Sequence, residues 1–333
     1  MEKLAVVILN YNGRHLLEKF LPSVIAHTPY QIVVADNHST DDSLSFLAEN
    51  FSEISTIVLS ENFGFARGYN EALRQVEAEY YILLNSDIEV TSGWVEPMLV
   101  LLEQNPAIAA CQPKILAYHQ KNRFEYAGAA GGFIDFLGFP FCRGRIFSTI
   151  EEDKGQYDDA IPVFWASGAC LCIRSSVYHR LGGLDSDFFA HLEEIDLCWR
   201  ILQEGMEVFC QPSSVVYHVG GGTLSYGHPR KTYLNFRNSV AMLYKNTPSS
   251  ALRWKMPLKI LIDWIASFKF LSEGGWGDFK AVYRAHFDFF RNLGSWRKKK
   301  QNLKKEKVEG MCSRSIVIQY YLLGKKYFSE LSD

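Results

Sequence analysis

The sequence predicts an open α/β fold built on a mostly parallel sheet flanked by helices. Two observations carry that. The first hundred residues alternate short, continuously apolar runs with helical patterns, and a run apolar throughout belongs to a strand buried on both faces. Each apolar run also closes in a polar turn. Strand–helix–strand repetition of this kind implies parallel pairing through right-handed crossovers.

Residues 4–9 form the first apolar run, ending in the turn Asn10-Tyr11-Asn12-Gly13. Leu16, Leu17, Phe20, Leu21, Val24 and Ile25 then fall on one helical stripe. Residues 32–35 read as a strand ending at Asp36, 42–50 as helix, 56–59 as strand, 68–76 as helix and 80–84 as strand, closing in Asn85-Ser86-Asp87. Past about residue 107 the alternation loosens, and 123–147 are rich in Gly, Phe and Arg. Strand character returns at 161–165 and 169–173. A helix begins near Glu193 and stops before Gly205. Strand runs at 207–211 and 215–218 lead to the glycine triplet Gly220 to Gly222. From about 228 the pattern is helical to the end, so the chain divides into an α/β domain over 1–240 and a helical region over 241–333.

With 333 residues, 47% of them apolar and 22% charged, the chain can bury a sizeable core. Its 35 Lys and Arg nearly balance 37 Asp and Glu, which argues against a nucleic-acid coat. The amino terminus lacks a signal-peptide pattern, and no apolar run approaches the length of a spanning helix. Seven scattered cysteines without a CxxC pair suggest buried, reduced thiols and a cytoplasmic address. HExxH, GxSxG, Walker A and GxGxxG patterns are absent, so zinc-protease, serine-hydrolase, kinase and dehydrogenase readings lose their support.

Open α/β sheets bind ligands beyond the carboxyl ends of their strands. That selects Asn10, Asn12, Asp36, the 62–70 loop and Asn85 to Asp87. Each precedes a helix start, where free backbone N–H groups favour phosphates. Asp87 either closes its strand or holds Mg²⁺ or Mn²⁺ against a diphosphate. Glu193, Glu194 and Asp196 either stabilise a first helical turn or, by mutual repulsion, raise one carboxyl toward general-base work. His218 is either a hydrogen-bonded strand end or a metal or phosphate contact.

In order, Val6-Val7-Ile8-Leu9-Asn10-Tyr11-Asn12-Gly13, Val34-Ala35-Asp36-Asn37-His38-Ser39-Thr40-Asp41, Asn62-Phe63-Gly64-Phe65-Ala66-Arg67-Gly68-Tyr69-Asn70 and Leu83-Leu84-Asn85-Ser86-Asp87 resemble family 2 glycosyltransferases of the Rossmann-like GT-A fold. Ser167-Gly168-Ala169-Cys170, the run from Phe188 to Arg200 and His218-Val219-Gly220 continue the likeness over about residues 3–240. It is closest in pattern to the rhamnosyltransferase-like branch of bacterial surface polysaccharide synthesis.

The resemblance implies inverting transfer of a single sugar from a nucleotide-diphosphate donor, dTDP-rhamnose or a UDP-sugar, to a lipid-linked or polysaccharide hydroxyl. Asp36 would contact the base or ribose above a floor of Asn10, Tyr11 and Asn12, and Arg67 and Asn70 would line the donor pocket. Asp87 would be the metal-binding aspartate of a DxD motif whose first position is Asn85 here, with His218 completing the diphosphate–metal contacts. Glu194 occupies the catalytic-base position, with Asp196 and Glu193 as alternatives. Trp165, Gly168, Arg237 and Asn238 would face acceptor or diphosphate. Other readings are a nucleotidyltransferase, a processive synthase and a non-catalytic sugar-nucleotide-binding or scaffold protein. The synthase is disfavoured because Ser250 to Trp254 lacks the glutamine of QxxRW.

In the tail, Leu258, Leu261, Ile262, Ile265, Phe268 and Leu271 follow helical spacing, as do Val282, Ala285 and Phe289 with Phe290. These stripes either pack on the catalytic domain or form a peripheral anchor on the inner membrane's cytoplasmic face. In the second case the basic run 297–307 would meet anionic lipid.

Overall fold

The computed structural model describes residues 1–220, 228–300, 308 and 310–331. Strands β1 (Glu2–Asn10), β2 (Gln31–Asp36), β3 (Ser55–Val58) and β4 (Ala78–Asn85) alternate with helices α1 (Arg14–His27), α2 (Ser43–Asn50) and α3 (Gly64–Leu73). There follow β5 (Ile88–Val90), α4 (Glu96–Gln104), β6 (Ile108–Ala117) and β7 (Gln120–Phe124). After four short strands, β8 (Gly132–Asp135), β9 (Pro140–Cys142), β10 (Arg145–Ile146) and β11 (Thr149–Ile150), come β12 (Ile161–Pro162), β13 (Cys170–Arg174), α5 (Ser175–Arg180), α6 (Glu193–Gln203) and β14 (Glu207–His218).

The main sheet runs β12-β14-β6-β13-β4-β1-β2-β3. β1 pairs in parallel with β2 and β4, β2 with β3, and β6 with β14, whereas β13 is antiparallel to both β4 and β6. Six strands therefore point their carboxyl ends at one rim, and β13 starts from it. Asn10, Asp36, Asn85 and His218 all end strands there. Side chains of β1 alternate between two apolar layers, Ala5 and Val7 in one and Leu4, Val6 and Ile8 in the other, as a strand covered by helices on both faces requires. All seven cysteines are buried, and none forms a disulfide.

Four expectations change. The 161–165 strand shrinks to Ile161–Pro162, and the two runs at 207–218 are one strand with a register shift between Gln211 and Val215. Residues 132–150 build a second sheet, ordered β11-β10-β9-β8-β15. Its last member, β15 (Met311–Cys312), comes from the tail, so the tail is not helical throughout. The reason is Asp135: one carboxyl oxygen accepts the N–H groups of Leu137 and Phe139, both at 2.9 Å, and the other that of Ile316 at 3.0 Å. The tail helices are α7 (Pro229–Asn246), α8 (Ser249–Ser272), α9 (Trp276–Arg291), α10 (Leu293–Lys299) and α11 (Ile316–Tyr321). Residue 240 thus lies inside α7. Gly221, Gly222 and residues 301–307 of the basic run lie outside the described residues.

Candidate active site

At the β1 and β2 ends, Asn10 donates to Asp36 (2.9 Å) and to the Ser39 hydroxyl (3.3 Å), and Asp36 accepts the Ser39 N–H at 2.8 Å. Asn12, in the left-handed region at φ 50°, accepts the Thr40 N–H at 2.7 Å; asparagine tolerates that conformation better than most residues. The two turns are stapled into one floor. Asn10 still has a buried, unpartnered amide oxygen, and Tyr11 stands exposed beside it. A Cβ on Gly13 would lie 2.5 Å from that oxygen, so the turn needs glycine.

Arg67 is exposed, stacks on Phe63 and pairs loosely with Glu61 (3.8 Å) and Glu71 (3.5 Å). Asn70 is engaged inside the protein. Its amide oxygen accepts from the Tyr178 hydroxyl (2.7 Å) and the Leu184 N–H (3.0 Å), and its NH₂ donates to the Leu184 carbonyl at 2.7 Å. Both ends of the amide are committed to holding the turn before the acidic loop.

At the β4 and β14 ends, Asp87 lies 3.1 Å from His218 Nε2, and Asn85 sits 3.4 Å from the same nitrogen. Glu125, which the sequence reading passed over, lies 3.3 Å from His218 Nδ1. All of Asp87, His218 and Glu125 are buried. Burial opposes charge on His218, but the Asp87 and Glu125 carboxylates beside it prevail and push its pKa up to about 10. Burial likewise works against ionised Asp87, yet His218 holds its pKa below the usual range. Oxygen and imidazole donors suit a hard divalent cation, and a carboxylate behind a ligating histidine is a common second layer. Among the described residues no three such groups converge as a complete cage. Asp87 and His218 offer two donors, leaving further positions to phosphate and water, as Mg²⁺ sites commonly do.

Glu193 and Glu194 start α6. The Asn85 N–H donates to the Ala169 carbonyl at 2.9 Å, which ties Asp87's turn to Gly168. A Cβ on Gly168 would sit 3.5 Å from the Glu194 Cβ, so a bare backbone shelf faces the acid. The loop before α6 is strained: Phe189, His191 and Leu192 have φ of 65°, 72° and 71°. Such residues cost on the order of 1–3 kcal/mol each unless the surroundings over-determine them. Here they do. Asn238 donates to the carbonyls of Phe188 (3.0 Å), Ala190 (2.9 Å) and His191 (2.7 Å), and Arg237 to those of Asp187 (2.8 Å) and Phe188 (3.0 Å). Arg237 and Asn238 are thus a clamp on the loop before α6.

The three acids separate cleanly. Glu193 is buried with one oxygen lacking any partner, and burial plus the neighbouring Glu194 raises its pKa well above normal. Glu194 is half-buried with Oε2 enclosed and unpartnered; burial pushes it up to about 7. Asp196 instead meets Arg200 (3.0 Å), Lys245 (3.0 Å) and the Asn246 amide (2.8 Å). Both carboxylate oxygens of Asp196 are thus taken up by partners inside the protein, which withdraws it as a base. Trp165 is also reassigned: its N–H donates to the Phe133 carbonyl at 2.9 Å and its ring lies against Gly132, joining the two sheets. His191, unremarked in the sequence, has a buried, unpartnered Nε2 and a pKa lowered to about 4 by burial and Lys231.

A stapled rim with an aspartate–histidine pair on one side and an unpartnered acid on the other fits a nucleotide-sugar transferase. Residues 5–182 match the model of Glycosyl transferase family 2, and the chain belongs to that family. The match ends before Glu193, Glu194 and His218. A Mycobacterium tuberculosis protein named N-acetylglucosaminyl-diphospho-decaprenol L-rhamnosyltransferase is 24% identical over 77% of this chain and 88% of its own length. The Haloferax volcanii low-salt glycan biosynthesis hexosyltransferase Agl10 is 24% identical over 72% and 74%. Among solved structures, GalNAc-T7 with UDP, GalNAc and Mn²⁺ has a TM-score of 0.59 at 15% identity, covering 89% of this chain and 58% of that one. The Pyrobaculum calidifontis mannosyltransferase PcManGT with GDP-Man and Mn²⁺ has 0.50 at 14% identity, covering 90% and 84%. The fold is GT-A.

Proposed function

We propose that the chain transfers one sugar, with inversion, from a nucleotide-diphosphate donor to a hydroxyl of a lipid-linked or polysaccharide acceptor in cell-surface glycan synthesis. One observation carries this. Glu194 presents an enclosed oxygen without a partner across the Gly168 shelf from the turn bearing Asp87. Its pKa of about 7 suits a base that must accept and release a proton near neutrality. In the step, Glu194 takes the acceptor O–H proton as that oxygen bonds to the anomeric carbon. The carbon–oxygen bond to the diphosphate breaks on the opposite side, and the nucleoside diphosphate leaves with the electron pair.

Asp36 and the Asn10–Asn12 floor hold the nucleoside end, with Arg67 at the pocket's outer edge. Asp87 and His218 would hold a divalent cation, Mg²⁺ or Mn²⁺, which would supply positive charge to neutralise the leaving diphosphate. Glu125 orients the His218 ring from behind. The name of the mycobacterial relative favours a rhamnosyl donor and a polyprenyl-diphosphate-linked acceptor. The work is done peripherally at the cytoplasmic face of a membrane; among the described residues no helix is long and apolar enough to cross one.

A thermal-shift panel of UDP-, dTDP- and GDP-sugars with and without Mn²⁺ identifies the donor, since a ligand bound to the folded state raises its melting point. Product analysis then discriminates. Free nucleoside diphosphate supports the proposal, pyrophosphate release makes the chain a nucleotidyltransferase, and donor binding without turnover on any acceptor or water makes it a binding protein.

A further inference from the structure

We infer that the outward faces of α8 and α9 seat against an anionic lipid bilayer. The inference names the surface behind the membrane-side reading above, and it stands or falls separately from the chemistry because lipid binding needs no substrate.

α8 is inside out. Lys259, Asp263 and Ser267 are buried at 2%, 0% and 0% exposure, whereas Leu261, Ile265 and Phe268 on the other side are 53%, 63% and 57% exposed. The inward charges are fully engaged. Lys259 pairs with Asp263 at 2.7 Å, His286 of α9 approaches the other Asp263 oxygen at 3.2 Å, and the Trp264 N–H donates to His286 at 2.9 Å. A helix packed in water turns its apolar stripe inward; this one spends its polar stripe on the protein and leaves the apolar one outward. Phe287 and Phe290 of α9 continue the exposed surface, at 66% and 51%. Between the two helices an apolar groove of about 630 Å³ opens, lined by Leu252, Met256, Ile260, Leu261 and Phe290 among others. Contiguous apolar surface of this kind marks an interaction site.

Charge chooses the occupant. Residues 249–300 hold eleven Lys and Arg against four Asp and Glu, in a chain whose net charge is −2. Of those acids, Asp263 and Asp278 are buried and Asp288 is held by the Tyr233 hydroxyl at 2.8 Å, which leaves Glu273 as the exposed one. Arg253, Lys269, Lys280, Arg284 and Arg291 are all exposed. A second copy of this chain would bring the same cations to the same face and be repelled. An anionic headgroup layer over hydrocarbon satisfies both features, with Trp, Phe and Leu at the boundary and basic side chains reaching the headgroups.

The test is flotation of the full chain with phosphatidylcholine vesicles, with and without phosphatidylglycerol. Wild type should float with the phosphatidylglycerol vesicles at low salt and far less with neutral ones. The double variant Ile265→Glu, Phe268→Glu should lose about tenfold or more in vesicle affinity, from two carboxylates driven toward hydrocarbon. Its melting point and rate of donor hydrolysis should not change. Lys280→Gln with Arg284→Gln, which leaves the apolar face whole, should lose about fivefold per charge removed. No flotation of wild type, or undiminished flotation of the Ile265→Glu, Phe268→Glu protein, overturns the inference. So does a wild-type dimer that this double variant splits while neither form binds vesicles.

Discussion

Two helices of this protein bury carboxylates and treat them in opposite ways. In α6, Glu193 and Glu194 each enclose an oxygen to which nothing donates. In α8, Asp263 is more deeply buried but meets Lys259 and His286. Burial alone therefore does not mark a catalytic acid; the partner set does. A buried acid with cations is architecture, because its charge is already answered, whereas one without them holds a raised pKa and can exchange a proton. Asp196 makes the point inside α6 itself. It lies in the same first turn as the two glutamates, yet Arg200 and Lys245 claim it.

The largest expected effect tests the unpaired side. Glu194→Gln should lower turnover by about 10²–10⁴-fold and abolish a rise in rate centred near pH 7, with sugar-nucleotide binding retained in a thermal-shift titration. Near-normal turnover would take Glu194 out of the role and leave Glu193 as the acid to test.

Asp263→Asn tests the paired side. Removing one partner of a buried pair costs about 3–5 kcal/mol, because Lys259 and His286 are then left unanswered. Urea unfolding should show the loss, while turnover per folded molecule at low temperature stays at the wild-type value. A stable variant would mean that the α8 network is not held by charge, and the contrast would fail.

Next in size is the clamp. Asn238→Ala removes donors from three carbonyls of the strained loop. Displacing a catalytic group by about 1 Å can cost on the order of 10²-fold, so kcat should fall by about that factor while donor affinity holds. A rise in donor KM with kcat unchanged would mean that Asn238 touches the ligand rather than the loop.

How much of this was legible in the sequence follows the same division. β1, β2 and β4 were readable because a strand covered on both faces is apolar along nearly its whole length, and Asp36, Asn85 and Asp87 followed as the groups at or just past their ends. His218 joined them at the end of a strand readable only in two pieces. What failed was anything settled by a distant partner. Asn70 is spoken for by Leu184, Asp196 by Lys245 and Asn238 by His191; side-chain partners so far apart leave no periodic trace. Glu125 gave no signal at all until His218 was beside it. The second sheet is built from strands of two to four residues, too short for alternation to register. α8 shows the sharpest limit: spacing located its apolar stripe correctly, but periodicity cannot say which side of a helix is the inside.

The smallest effect is a pH-dependent one, and its sign separates the two kinds of acid. Glu194 has a folded pKa of about 7 against an ordinary 4.5, so the native state binds its proton more tightly than the unfolded chain. Its contribution to stability is therefore lost as pH rises from about 4.5 through 7. Glu194→Gln removes that loss and should leave the variant more stable than wild type above pH 7, by about 1–2 kcal/mol after allowance for solvent screening, and no more stable near pH 4. Asp185 runs the other way. Burial opposes its charge, but Lys245 and Lys299 hold its pKa down to about 2 against 3.8, so its contribution is present above about pH 4 and lost as pH falls toward 2. Asp185→Asn should destabilise the protein at neutral pH and cease to matter in strong acid. Melting points of the two variants, scanned against pH beside wild type, should diverge from it in opposite directions. Curves that moved in the same direction would show that partners do not govern how this protein's buried acids titrate.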